Sequence, residues 1–153
     1  MKKFLFLAVF AVSAIGTKAQ YGEVNERLNR LEEKKGINQN LKEIDISNKK
    51  FVLLQDFDDH TERMFITVNG NQATYAEVFD DKSSGQISSN VFTGDVLRTN
   101  NNMLSFRFDT LEGKKVSLPV VKNLLMTKQK STLYLIDINT KERWIDEASV
   151  GNK

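Results

Sequence analysis

The sequence predicts a mainly β fold: an antiparallel up-and-down β-barrel, with a two-sheet β-sandwich as the alternative, preceded by one N-terminal α-helix. Three observations carry this. From Lys49 onward, apolar residues recur with a period of two in short runs. Pieces rich in Asp, Asn, Gly, Ser and Lys separate those runs at short, regular intervals. None of these connections is long enough for the crossover helix that parallel neighbours require, so the strands pair antiparallel.

The chain opens on "MKKFLFLAVFAVSAIGTKAQ", two lysines followed by an uncharged, mostly apolar run from Phe4 to Gly16. This pattern predicts a secretory signal peptide over residues 1–19. Thr17 and Ala19 are the small residues before the cut, and Val12 and Ala14 mark a second possible cut. The apolar run is shorter than the roughly 20 residues a bilayer-crossing helix needs, so no integral membrane segment is expected once the leader is gone. The chain has no cysteine, hence no lipid-attachment acceptor and no disulfide. The expected product is exported, periplasmic or secreted, and held together by its core alone.

Loss of the leader also changes the charge. Lys2, Lys3 and Lys18 leave and no acid goes with them, so the formal +2 of the whole chain becomes about −1. A nucleic-acid partner would want a clustered basic surface and is not expected.

Residues 20–48 read as a helix and a connector. In "YGEVNERLNRLEEKKG", Val24, Leu28 and Leu31 form one apolar stripe at helical spacing, and Gly36 is a natural stop. Glu23 and Glu26 lie early and Lys34 and Lys35 late, as the helix dipole favours. A helix this short is marginal alone, so it should dock on the rest of the chain. A coiled coil is disfavoured because Lys35 falls on the next seam position. In "INQNLKEIDISN", Ile37, Leu41 and Ile44 suggest a short helical turn leading to the first strand.

The β domain spans 49–148. Its expected strands are 51–57, 63–68, 73–79, 86–92, 95–99, 103–109, 115–118, 120–126, 132–138 and 143–145, with a flexible tail at 149–153. The strongest turn signal is Asn69-Gly70, which suits a two-residue type I′ hairpin between 63–68 and 73–79. The cleanest alternation is at 103–109: Leu104, Phe106 and Phe108 should face the core, and Ser105, Arg107 and Asp109 the solvent. Pro119 lacks an N–H donor and marks a bulge or an edge.

The segment "DFDDHTERM", Asp56 to Met64, holds four acids and the only histidine. On a continuous strand Asp56, Asp58, His60 and Glu62 would share a face and could grip a divalent ion. The glycine and distant glutamate of an EF-hand loop are missing, as are the further His or Cys ligands of a zinc site. The expectation is a solvated hairpin tip, with no metal and no cofactor.

No nucleophile elbow, phosphate-binding glycine loop or Walker pattern occurs, and cysteine chemistry is excluded. Paired carboxylates stay open in principle, but nothing singles out a pair, so no catalytic residue is assigned and an enzyme is the less favoured class. Tyr134 and Trp144 have the apolar body and polar tip favoured at binding surfaces; a core plug is the competing reading for Trp144. Together with Arg107 they are the candidate binding residues.

Charge is uneven. Residues 43–81 carry nine acids against Lys49, Lys50 and Arg63, whereas 82–131 carry eight bases against Asp95, Asp109 and Glu112. The expectation is that strands of the two halves interleave and neutralise each other; segregation would make the protein a dipole. The favoured function is an exported non-catalytic binding or interaction module of the bacterial envelope. Its ligand would be a small apolar molecule or another envelope protein. A small carboxylate-dependent hydrolase and an inhibitor or immunity-type factor are the alternatives.

Overall fold

The computed structural model describes residues 17–37 and 41–151. Most of the predicted signal peptide, residues 1–16, lies outside the described residues. Helix α1 (Thr17–Lys35) comes first. Eight strands follow: β1 (Lys50–Asp56), β2 (His60–Asn69), β3 (Gln72–Asp81), β4 (Ile87–Arg98), β5 (Met103–Leu111), β6 (Lys114–Gln129), β7 (Thr132–Asp137) and β8 (Arg143–Asp146). The short helix α2 (Glu147–Gly151) ends the described chain. Strand order is the order of sequence, every pairing is antiparallel, and β1 pairs with β8 through Phe51↔Asp146 and Val52↔Ile145. The barrel is therefore closed, and the sandwich alternative does not apply. Closure leaves no unpaired sheet edge.

Eight strands replace the ten expected because two interruptions in the sequence are bulges inside long strands. Residues 86–92 and 95–99 fuse into β4 across Gly94, where the register against β5 shifts. Strand β5 approaches so closely there that a Cβ on residue 94 would lie 2.7 Å from the Arg107 carbonyl carbon and from the Phe108 Cα. Only glycine fits. Residues 115–118 and 120–126 fuse into β6 across Pro119. The ladder there jumps from Phe108↔Val120 to Thr110↔Lys115, so Pro119 sits in a bulge that needs no donor from it.

The hairpin expected at Asn69-Gly70 forms, but one residue later. Asn69 pairs with Gln72, so Gly70 and Asn71 are the turn residues, and of these only Gly70 has a positive φ, at 65°. Glycine at the first central position is the II′ arrangement, not I′. The two consecutive positive φ values of a type I′ turn occur instead at Glu112 (50°) and Gly113 (80°), between β5 and β6.

Alternation in the strands sends one set of side chains inward. Tyr75, Trp144, Phe51, Phe106, Phe108 and Met126 are all essentially inaccessible to solvent and fill the interior. An eight-stranded barrel is just wide enough to be filled by side chains. Each such residue stabilises the fold by roughly 1.5–3 kcal/mol relative to exposure.

Helix α1 packs outside the wall, with Tyr21, Val24 and Leu28 buried; Leu31, the last residue of the predicted stripe, is only half-buried. Connector residues Leu41 and Ile46 are buried and join the same core. Arg98 donates to the carbonyls of Ile44 and Leu41, both at 2.5 Å, tying the connector across the barrel end that carries the β2–β3 turn.

At the C-terminus, α2 stands where a flexible tail was expected from residue 149. Asp146 accepts the Ala148 N–H at 3.3 Å and Val150 is buried, which gives the helix a start and an apolar anchor. Residues 152–153 lie outside the described residues.

The expected interleaving of charge does not occur. In a sequential meander, residues 43–81 build the arc of β1 to β3, and 82–131 build the arc of β4 to β6. Only β3 and β4 bring the acid-rich and base-rich halves side by side. Neutralisation across neighbours would have required an order such as a Greek key.

Candidate functional site

The barrel end opposite the connector carries the β1–β2, β3–β4, β5–β6 and β7–β8 turns, and its inner surface mixes carboxylates and other polar groups with apolar side chains. Strand β2 points Glu62, Met64 and Ile66 the same way, and β3 does so with Tyr75, Glu77 and Phe79, because side chains alternate along a strand. Register places Met64 opposite Glu77 and Glu62 opposite Phe79, with Asn90 and Ser88 next to them on β4. Together these residues line a half-open cavity of about 320 Å³. Glu62 and Glu77 are diagonal neighbours on one face.

Tyr75 backs the cavity. It is buried, and its O–H donates to Glu77 Oε1 at 2.6 Å. Burial pushes its phenol far above the ordinary value, and the Glu77 bond and the charges of Glu77, Glu62 and Glu142 push the same way. The hydroxyl therefore stays a donor. Its ring meets those of Phe92, Phe108 and Trp144 at 5.8, 5.4 and 5.9 Å. Lys122 projects inward from β6, with Nζ 4.7 Å from the Tyr75 ring centre and 5.5 Å from that of Trp144. Glu142, outside the lining, lies near enough for its charge to act on the Tyr75 phenol, and it accepts from Gln55 Nε2 at 2.5 Å.

"DFDDHTERM" forms the rim. The chain reverses between Asp56 and His60, so the alternating set does not share one continuous strand: Asp56 ends β1 and His60 begins β2. Asp56 Oδ1 accepts from Thr61 at 2.9 Å and pairs with Lys82 at 2.9 Å. His60 is sandwiched between the rings of Phe57 and Phe79, each 4.5 Å away. Its Nδ1 lies 2.6 Å from Asp59 Oδ1 and its Nε2 lies 3.3 Å from Glu62 Oε1. The Asp59 bond chiefly raises the His60 pKa, and the same bond chiefly lowers that of Asp59. Among the described residues no group of three or more His, Asp or Glu side chains is placed to hold a metal ion.

The three predicted binding residues occupy three different places. Tyr134 is fully buried on the wall facing α1, and its O–H donates to Glu32 Oε1 at 2.5 Å. Burial and then the Glu32 bond push this phenol above its ordinary value, so its polar tip serves as a donor that anchors the helix. Trp144 is 1% exposed inside the barrel, the position of the core plug. Arg107 is exposed on the outer wall of β5, 3.8 Å from Asp109. Of these, only Trp144 lies near the mouth, beneath it.

Glu77 and Lys122 were missed. A signal existed: in "ATYAEVF" Glu77 sits between Tyr75 and Phe79 on the apolar parity, and Lys122 sits likewise between Val120 and Leu124. A charge at an inward position of a small barrel must reach either a partner or an opening. Comparison of the chain with protein-family models, curated proteins and solved structures gives no match, so the reading of this site rests on its own geometry.

Proposed function

We propose that the protein is an exported, non-catalytic binding module of the bacterial envelope, which takes a small ligand at the open mouth of its barrel. The observation that carries this reading is the half-open cavity bounded by Glu62, Met64, Glu77 and Phe79 above an interior already packed with side chains. Its volume lies at the small end of ligand sites, and apolar surface with a few convergent polar groups is the usual make-up of such sites. The leader-like N-terminus supports export. Backbone amide NMR of the isotope-labelled mature protein, screened against small fragments, tests the reading. Shifts confined to β2, β3 and the start of β4 are expected. A screen that leaves those amides unmoved, or moves only the outer wall, refutes it. N-terminal sequencing of protein recovered from outside the cytoplasm should begin at Gln20.

One observation favours a second reading. Glu62 and Glu77 converge on one cleft, as a carboxylate-dependent hydrolase would need. Against it, each carboxylate already accepts a ground-state bond, from His60 and Tyr75 respectively. Turnover of glycoside or ester substrates that is lost in Glu77→Gln would establish that reading in place of the first.

A further inference from the structure

We propose that the mouth selects a small organic ammonium ion carrying a short apolar arm. Its N–H donors would lie on Glu62 and Glu77, and its arm against Met64 and Phe79. This rests on the binding-module reading and adds the class of ligand.

The charged groups in and around the cavity and its floor are Glu62 and Glu77 in the lining, with Glu142 near Tyr75, against Lys122 and the rim His60. Glu142 is engaged by Gln55 and by the Thr140 hydroxyl at 2.9 Å. Glu62 and Glu77 each use Oε1, one for His60 and one for Tyr75. A carboxylate accepts at both oxygens, so the lining presents acceptors in excess of donors. An anionic ligand would meet like charge. A purely apolar ligand would bury the second oxygen of each carboxylate with no donor from the ligand, a cost that opposes its own burial. An ammonium has three donors and forms the stronger, charge-assisted bonds. The Ser88 hydroxyl and the Asn90 amide oxygen, also in the lining, can take a third.

A bare metal ion is the competing cation. It would want more oxygen ligands than two side-chain carboxylates and would gain nothing from Met64 and Phe79. The stacked Phe57, His60 and Phe79 rings extend the apolar shelf out to the rim, where an aryl or alkyl arm can lie. The aromatic floor is already occupied by the Lys122 ammonium, which rests on Tyr75 and Trp144, so the ligand's ammonium belongs on the two carboxylates above it.

Three probes share one arm and differ in the head group: phenethylammonium, 2-phenylethanol and 3-phenylpropanoate. Each is titrated into the labelled mature protein at neutral pH and low salt, with calcium chloride as a fourth titrant. Saturable shifts at Glu62, Glu77, Phe79 and Asn90 with the amine, at least tenfold tighter than with the other two probes, are expected. Glu77→Gln, which keeps the acceptor for Tyr75, should weaken amine binding about tenfold, the worth of one charge-assisted bond. Glu62→Gln should weaken it similarly, and serves if the first variant fails to give a folded spectrum. Equal or tighter binding of the alcohol or the carboxylate at these amides overturns the ammonium assignment and leaves the binding-module reading standing. Displacement of the amine by calcium overturns it in favour of a metal. No response to any of the four overturns it too; the broad fragment screen then decides the parent reading separately.

Discussion

Substitution of Glu32 by Gln should loosen α1 from the barrel. Arg143, at the start of β8, donates to α1 four times: from Nε and Nη2 to Glu32 at 3.1 and 2.7 Å, and to Asn25 and Asn29 at 3.0 and 2.8 Å. The two charged side chains retain only 11% and 19% exposure. Gln keeps the shape, the acceptor for Tyr134 and one acceptor for Arg143, but loses the charge and one bond of the fork. A hydrogen bond to a charged group contributes about 1.5–3 kcal/mol. Breaking a fully buried pair costs about 3–5 kcal/mol, and partial exposure screens this one. A loss of about 2 kcal/mol is expected, a fall in Tm of about 6 °C for a domain of this size.

The pH dependence gives a second check. Burial raises the Glu32 pKa, but the bonds from Arg143 and Tyr134 outweigh it, and the net value lies below the ordinary 4.5. A depressed carboxyl contributes stability that is present above its unfolded pKa and lost as pH falls through the folded one. The gap between native protein and variant should therefore be full at neutral pH and close below about pH 4. Hydrogen exchange locates the effect: α1 amides should exchange faster while strands remote from the helix keep their protection. A Tm within about 1 °C of the native value, with α1 protection unchanged, would show that Tyr21, Val24 and Leu28 hold the helix unaided.

Leu28 is fully buried, so Leu28→Ala should cost about 2–5 kcal/mol in urea unfolding, more than the Glu32 change, with the same local exchange signature. Gly94→Ala would drive a methyl into the β5 backbone, whose atoms cannot step aside as a side chain can; a loss of about 1–3 kcal/mol or more is expected in the same assay, and neutrality would mean the bulge relaxes. His60 should titrate above 6.5 in an NMR pH series, because Asp59 and then Glu62 stabilise its charged form, with the Asp81 cross-strand partner also acidic. A raised histidine contributes stability that is present below the unfolded value and lost as pH rises through the folded one, so His60→Asn should remove that slope.

The outline of the fold was legible because period-two hydrophobicity and short turns leave little else to build. The number of strands was not, since Gly94 and Pro119 end a strand in one context and bulge it in another, and the difference lies in the partner strand. The buried stripe lies one turn earlier than the spacing of Val24, Leu28 and Leu31 suggests: Tyr21, Val24 and Leu28 are buried and Leu31 is only half-buried, and the Tyr21 hydroxyl donates to the Arg143 carbonyl at 2.7 Å, a tertiary bond that apolar spacing does not encode. Charge segregation depends wholly on strand order, which periodicity does not encode. The mouth was half legible. Glu62 stood out by its crowded surroundings, whereas Glu77 required asking which face of its strand was inward.

Lys122 supplies the sharpest remaining test, because its charge has opposite consequences for opposite ligands. Its ammonium rests on the Tyr75 and Trp144 rings beneath Glu62 and Glu77. Lys122→Met keeps length and apolar contact with both rings while removing the positive charge. A ring-held ammonium gains about 0.5–2 kcal/mol from the aromatic faces, and the partial desolvation of this half-buried charge works against that gain. The variant should therefore be at least as stable as the native protein in urea unfolding. If the mouth takes a cation, removing the positive charge below it also removes a repulsion, so phenethylammonium should bind more tightly. If Lys122 were instead the anchor for an anion, the same substitution would abolish carboxylate binding and leave the amine indifferent. Native and variant titrations with the two probes separate these cases by sign, and the second pattern would transfer the site from the two glutamates to the lysine.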